Sequence, residues 1–202
     1  MTLPTFSVRG VPVWKAFLSP EQQSRLVLDL REVVRQAPLF HPVTMRGKEM
    51  SVRMTSAGQY GWVSDRRGYR YEQVHPAGME WPPIPDAVLE VWRTLSGYDR
   101  DPQSCLVNFY DASARMGLHQ DRDEADFSAP VLSISLGDAA LFRVGNAERG
   151  GSTESFWLES GDVMALTGES RLLFHGVDRI RAGSSSLLPK GGRINVTLRV
   201  VT

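Results

Sequence analysis

From residue 104 to the end, the chain breaks into short apolar runs: SCLVNFY, PVLSISLG, ALFRVG, STESFWLE, DVMALTG, RLLFHGV and RINVTLRVV, each closed off by Gly, Asp or Ser. Several of them alternate apolar with polar residues, the period of a strand that keeps one face in a core. A succession of this kind predicts an antiparallel sandwich or barrel in the C-terminal half. With 202 residues the chain suffices for one domain with a substantial core. No repeat, low-complexity tract or linker divides it.

The N-terminal half has a different texture. Ser19-Pro20-Glu21-Gln22 opens a helix with a hydroxyl cap, proline in the first turn and glutamine three residues after the cap. Leu26, Leu30, Val33 and Val34 follow at helical spacing, so the helix covers about 20 to 36. A second helix is expected from Pro85 to Ser96, with Leu89 and Trp92 on one face and Gly97 as its stop. Between them, residues 41 to 84 are rich in Gly, Pro and aromatics, which reads as short strands and loops.

Composition narrows the setting. No apolar stretch approaches membrane-spanning length, and the start MTLPTFSVRGVPVW lacks a basic segment leading into a continuous apolar run. Cys105 is the single cysteine and has no partner for an internal disulfide. A soluble, cytoplasmic protein in a reducing compartment is expected. Net charge is zero, so nucleic-acid binding would need a local patch. Of the 23 basic residues 20 are arginine, the better bidentate partner of phosphate and carboxylate, although genome composition explains that bias equally well.

GLHQDRDEAD, at 117 to 126, sets a histidine in the densest run of acid. In extended chain, residues two apart share a side, so His119 and Asp121 can aim at one point, with Asp123 following on that side and Gln120, Arg122 and Glu124 turned outward. His175, on a separate run, could reach the same point only across a folded sheet. Two histidines and one carboxylate form the facial triad of non-haem Fe(II) oxygenases. Taken singly, His119 is better explained as a surface-loop residue and His175 as a satisfied histidine at a strand end; the set favours the metal.

The last strand reinforces that set. Arg193, Asn195, Thr197 and Arg199 fall on one side, and Ile194, Val196, Leu198 and Val200 on the other. Facing solvent, the polar side would be ordinary; facing into a barrel, its two guanidiniums would converge on a buried anion such as a dicarboxylate. Asn108 and Tyr110, two apart in LVNFY, would add an amide and a phenol, though packing explains each equally well.

With NFY at 108 to 110, HQDRDE at 119 to 124, GESRLLFHG at 168 to 176 and Arg193-x-Asn195-x-x-x-Arg199 in that order, the sequence resembles the AlkB-type Fe(II)- and 2-oxoglutarate-dependent dioxygenases. MSVRMTSAGQYGWV and RGYRY extend the resemblance from about residue 40 to 202, and it is closer to the bacterial DNA-repair members than to distant oxygenases. It implies an α+β, mainly β fold in one dioxygenase domain over 1–202. A double-stranded β-helix (jelly roll) core would span 104–202, with N-terminal helices and a nucleotide-recognition lid in 1–103. His119, Asp121 and His175 would hold Fe(II). Arg193 would pair with the distal carboxylate of 2-oxoglutarate, and Asn108, Tyr110, Asn195 and Arg199 would complete that pocket. Trp62 and Tyr69 would stack or clamp the damaged base, with Arg70 and Tyr71 beside them, Asp123 at the base edge and Arg149 bordering the substrate pocket.

The implied reaction is oxidative demethylation of N-alkylated bases such as 1-methyladenine and 3-methylcytosine in DNA. Formaldehyde is released, and 2-oxoglutarate and oxygen become succinate and carbon dioxide. Such a lesion is cationic and must leave the stack to be reached, so stacking aromatics and an anionic Asp123 suit it. The expected partner is alkylated DNA, single-stranded or with a flipped base, bound by a monomer away from membranes. The segment from Met45 to Tyr71 carries a local charge of +4 interleaved with aromatics, which fits a substrate lid, or else a solvated loop. RNA as substrate, a small-molecule or protein hydroxylase, and a non-catalytic nucleic-acid-binding module with a vestigial metal site are the alternatives. Two departures from the family bear on pocket shape: Leu166, where a tryptophan is expected, and a longer loop at 182 to 192.

Overall fold

The computed structural model describes residues 2–202. Its elements, in chain order, are β1 (Phe6–Val8), β2 (Val11–Trp14), α1 (Pro20–Gln36), β3 (Arg53–Gly58), β4 (Gly61–Asp65), β5 (Gly68–Glu72), α2 (Asp86–Leu95), β6 (Ser104–Tyr110), β7 (Met116–His119), β8 (Val131–Gly137), β9 (Ala139–Val144), β10 (Glu154–Leu158), β11 (Val163–Leu166), β12 (His175–Arg181) and β13 (Arg193–Arg199). They form a seven-stranded sheet in the order β1-β2-β11-β8-β13-β6-β3, a four-stranded sheet β10-β9-β12-β7 and the separate hairpin β4-β5. Every named pairing is antiparallel. This is the expected mainly β fold with a jelly-roll core.

Strand alternation builds two cores from the large sheet. Val107, Leu132, Ile134, Leu136, Val163, Val196 and Leu198 point outward onto α1 and α2, where they meet Leu26, Leu30, Val33, Val88 and Trp92. The opposite face meets the small sheet, and there Met54, Leu106, Met164 and Leu166 pack with Phe142, Val144, Leu158 and Val177. The large sheet crosses the expected division at 103/104, because β1 to β3 join it from the N-terminal half. The three residues of β1 and four of β2 are too short to stand out in sequence; β2 is held by β11.

α1 starts as its sequence dictates. Ser19 Oγ accepts from the Gln22 N–H and Gln22 Oε1 accepts from the Ser19 N–H, a reciprocal cap. Its buried stripe is Leu26, Val27, Leu30 and Val33, with Val34 only half-buried at the edge. On α2 the buried stripe is Val88, Val91 and Trp92, so Leu89 flanks the face instead of centring it. Gly97, at φ +62°, takes the left-handed turn that stops α2. The run RLLFHGV is a strand only from His175 onward. Its first residues spend their backbone groups on loops: Leu172 O accepts from Gln120 Nε2, and Phe174 N–H donates to Asn146 O. The hairpin β4-β5 rests on its own small cluster of Phe40, Val63 and Trp81. Among the described residues no helix is long and apolar enough to cross a membrane.

Candidate metal centre and its pocket

Sheet register creates the candidate metal centre. His119, the last residue of β7, is paired directly with His175, the first of β12, and His175 is paired in turn with Val144 of β9. The two imidazoles lie 4.5 Å apart between centroids, with Phe142 stacked on His175 at 5.7 Å. Each histidine turns Nδ1 to a backbone carbonyl, Gly117 O for His119 and Leu173 O for His175, both at 2.9 Å. Nδ1 is therefore the protonated nitrogen, and the Nε2 lone pairs both face Asp121. His119 Nε2 lies 3.7 Å from Asp121 Oδ1 and His175 Nε2 lies 3.8 Å from Oδ2. The three ligand atoms fall within 4.8 Å of one another. Burial, with His119 next, pushes the His175 pKa down to about 4, so this imidazole is neutral at physiological pH and open to a metal. Burial disfavours the charged form of Asp121, but Arg199 and then the two histidines outweigh it and hold the carboxyl well below the usual range.

Asp121 itself lies beyond the end of β7, where the strand alternation no longer applies. Arg122 and Asp123 are exposed, Gln120 is half-buried, and Glu124 is buried, which corrects the expectation that Glu124 points outward. Glu124 Oε1 accepts from the Tyr71 hydroxyl at 2.5 Å and its Oε2 from Arg171 Nη2 at 2.9 Å. Arg171 also donates to the carbonyls of Asp121 and Ala129. Arg199 Nη2 donates to Asp121 Oδ2 at 2.8 Å, and its Nε stands 3.3 Å from Glu124 Oε1, a close charge pair without hydrogen-bond alignment. Two acids and two arginines thus balance in a nearly dry network behind the metal ligands. Glu124 and Arg171 were given no role from sequence, since one sits in an acidic loop and the other in an apolar run. Glu124→Leu would leave two buried guanidiniums facing one carboxylate. We expect it to lower unfolding free energy by about 3–5 kcal/mol, checked by urea denaturation.

The inner face of the large sheet forms the floor of a cavity of about 660 Å³ whose lining includes all three ligands. Register brings Asn108 opposite Asn195 and Arg193 opposite Tyr110. Asn108, Tyr110, Asn195 and Arg199 line the cavity, and Leu166 is buried in its wall. Arg193 is not a lining residue; it is sunk beneath the floor, 1% exposed. Its Nη2 donates to Ser135 Oγ at 3.0 Å, while Nε and Nη1 have no partner, and neither has Asn108 Oδ1. Burial pushes its pKa down to about 10, with Tyr110 opposing, so it stays charged. Unpaired donors on a buried cation point to an anionic acceptor.

The mouth is lined by Trp62, Tyr69, Tyr71, Asp123 and Arg149. Trp62 and Tyr69 stack on each other, 5.5 Å between centroids at 18°, instead of standing open. Trp62 Nε1 donates to Asp123 Oδ2 at 3.0 Å, tying the hairpin to the ligand segment. Arg149 lies over the Phe174 ring at 5.5 Å. Arg70 is not brought to the cavity: its guanidinium is held on the hairpin by Asp65 at 2.9 Å and by Glu72. Within the basic patch Arg67 pairs with Asp65, and Arg53 lies over the Phe109 ring with its charge unpaired. Arg46, Lys48, Arg53 and Arg66 remain without an ion pair among the described residues.

Comparison with known proteins matches residues 10–199 to the model of the 2OG-Fe(II) oxygenase superfamily. The chain is 54% identical over 197 residues to the alpha-ketoglutarate-dependent dioxygenase AlkB homolog of Caulobacter vibrioides, covering 97% of this chain and 90% of that one. It is 39% identical over 189 residues to the alpha-ketoglutarate-dependent dioxygenase AlkB of Escherichia coli, covering 91% and 86%. Among solved structures it superimposes on OsALKBH1 with a TM-score of 0.78 at 31% identity, covering 96% of this chain and all of the other.

Proposed function

Starting from the fact that this chain belongs to the 2OG-Fe(II) oxygenase superfamily and, within it, to the AlkB family of alpha-ketoglutarate-dependent dioxygenases, we propose that it repairs N-alkylated bases in DNA by oxidative demethylation. The enzyme class carries Fe(II), 2-oxoglutarate and oxygen with it, and the residues present fit them. The two-histidine, one-carboxylate donor set suits Fe(II), and the unpaired donors of buried Arg193 suit a carboxylate. When bound, these groups supply the hydroxylating power, and 2-oxoglutarate leaves as succinate and carbon dioxide.

The protein's own share is placement. His119, Asp121 and His175 would hold the metal, with Arg199 fixing the carboxylate of Asp121. Arg193 would receive the distal carboxylate of 2-oxoglutarate, and Asn108, Tyr110 and Asn195 would orient the rest. The methyl carbon, once hydroxylated, leaves as formaldehyde and restores the base. A single observation carries the choice of substrate: the exposed carboxylate of Asp123 stands beside the indole of Trp62 at the mouth of the cavity that the triad lines. An anion next to a stacking face favours an aromatic cation, which is what methylation at position 1 of adenine or 3 of cytosine creates. Tyr69 would have to part from Trp62 to admit the base.

The test is incubation with Fe(II), 2-oxoglutarate, ascorbate and DNA or RNA oligonucleotides bearing 1-methyladenine or 3-methylcytosine, followed by mass spectrometry. The expected result is loss of one methyl group per lesion from DNA. Loss from RNA in preference would move the substrate to RNA. If no methyl is lost while succinate still forms, and Asp121→Ala stops it, the repair reading fails and another hydroxylase substrate must be sought.

A further inference from the structure

The two residues that join β1 to β2 are Arg9 and Gly10, at φ +50° and +80°. Two successive left-handed residues make the tight turn that suits a twisted hairpin, and asparagine or glycine is the usual occupant. Arginine there costs backbone energy, and such strain persists where a contact elsewhere requires it. The side chain of Arg9 supplies that contact. It crosses to the loop between β9 and β10, where Nη2 donates to Asn146 Oδ1 and Nη1 donates to Ser152 O at 3.3 Å, with Glu154 at 3.6 Å.

Asn146 anchors that loop. A guanidinium can only donate, so it fixes the amide with its oxygen toward Arg9 and its nitrogen toward the loop. That nitrogen donates to Gly150 O at 2.8 Å, closing a turn over residues 146–150 that carries Arg149. The same loop is tied to both metal-ligand segments, through Gln120 Nε2 to Ala147 O and Phe174 N–H to Asn146 O. We infer that Arg9 is a positioning residue: through the Asn146 amide it presets the turn that holds Arg149 at the cavity mouth for substrate capture. This rests on the reading of Arg149 as a substrate contact given above.

Arg9→Asn tests it, because asparagine accepts the left-handed turn but is too short to reach Asn146. The thermal midpoint is expected to hold or rise as the turn relaxes. Hydrogen–deuterium exchange of amides 146–153 should speed up about tenfold as the turn opens more often. The KM for a methylated oligonucleotide should rise about fivefold with kcat unchanged, since fewer molecules present the preset loop. Arg9→Asn added to Arg149→Ala should raise KM no further than Arg149→Ala alone. Unchanged exchange in the loop would overturn the brace, whatever the substrate. Faster exchange without a rise in KM would break its link to Arg149. A fall in both thermal midpoint and kcat would mean that Arg9 serves only stability. Should the wild type demethylate no oligonucleotide, the reading of Arg149 falls first, and the exchange experiment still decides whether Arg9 sets the loop.

Discussion

Asp121→Ala is expected to cut succinate formation by more than about a hundredfold, because it removes one of the three proposed metal ligands and the acceptor that orients Arg199. The variant should also be less stable than the wild type. Arg199 and Arg171 then share Glu124 alone in a buried setting, and stripping one partner from such a network costs about 3–5 kcal/mol. Asp121→Asn separates the two effects. It keeps the volume and an oxygen beside Arg199 but loses the negative charge that a divalent cation needs. We expect it to unfold nearer to the wild-type midpoint while binding Mn(II) far more weakly in a calorimetric titration. Turnover of Asp121→Ala within tenfold of wild type would remove Asp121 from the ligand set.

Arg193→Met should move activity and stability in opposite directions. Wild-type Arg193 is buried with two donor atoms unpaired, so an apolar side chain of similar length removes an uncompensated charge from the core. Such exchanges are neutral or stabilising, and the thermal midpoint without 2-oxoglutarate is expected to hold or rise. The KM for 2-oxoglutarate, in contrast, should increase about a hundredfold, the usual scale for losing a buried charge-assisted carboxylate contact. Steady-state succinate assays against 2-oxoglutarate concentration, beside a thermal melt, read both quantities. A destabilised variant with normal KM would show Arg193 to be a structural residue only.

Sequence conveyed the repeating parts of this fold well and its irregular parts poorly. α1 and α2 were legible because caps and the 3.6-residue period are local. The polar row of β13 was legible because alternation over seven residues leaves two readings, and the sheet chooses the inward one. The pairing of His119 with His175 could be suspected from residue type alone, yet their direct opposition is a matter of register, which no local pattern encodes. Glu124 and Arg171 were missed for a related reason. Their burial depends on where the segment after β7 turns, and strand alternation projected past His119 assigned Glu124 to the wrong side. The segment that forms the hairpin β4-β5 read as short strands and loops, but the partners of its charges were not legible: Arg70 spends its guanidinium on Asp65 and Glu72.

The position of β7 has a consequence for folding as well as for chemistry. It is a four-residue strand at the rim of the small sheet, joined to it only through β12, and its partly exposed Leu118 adjoins His119. Rims of this kind fray and recruit foreign strands. A metal held by His119 and His175 would act as a clasp across this outermost pair, fastening by coordination what so few ladder bonds secure weakly. Iron supply would then govern the solubility and protease resistance of the protein together with its turnover, and chelation would first loosen the chain between Met116 and His119.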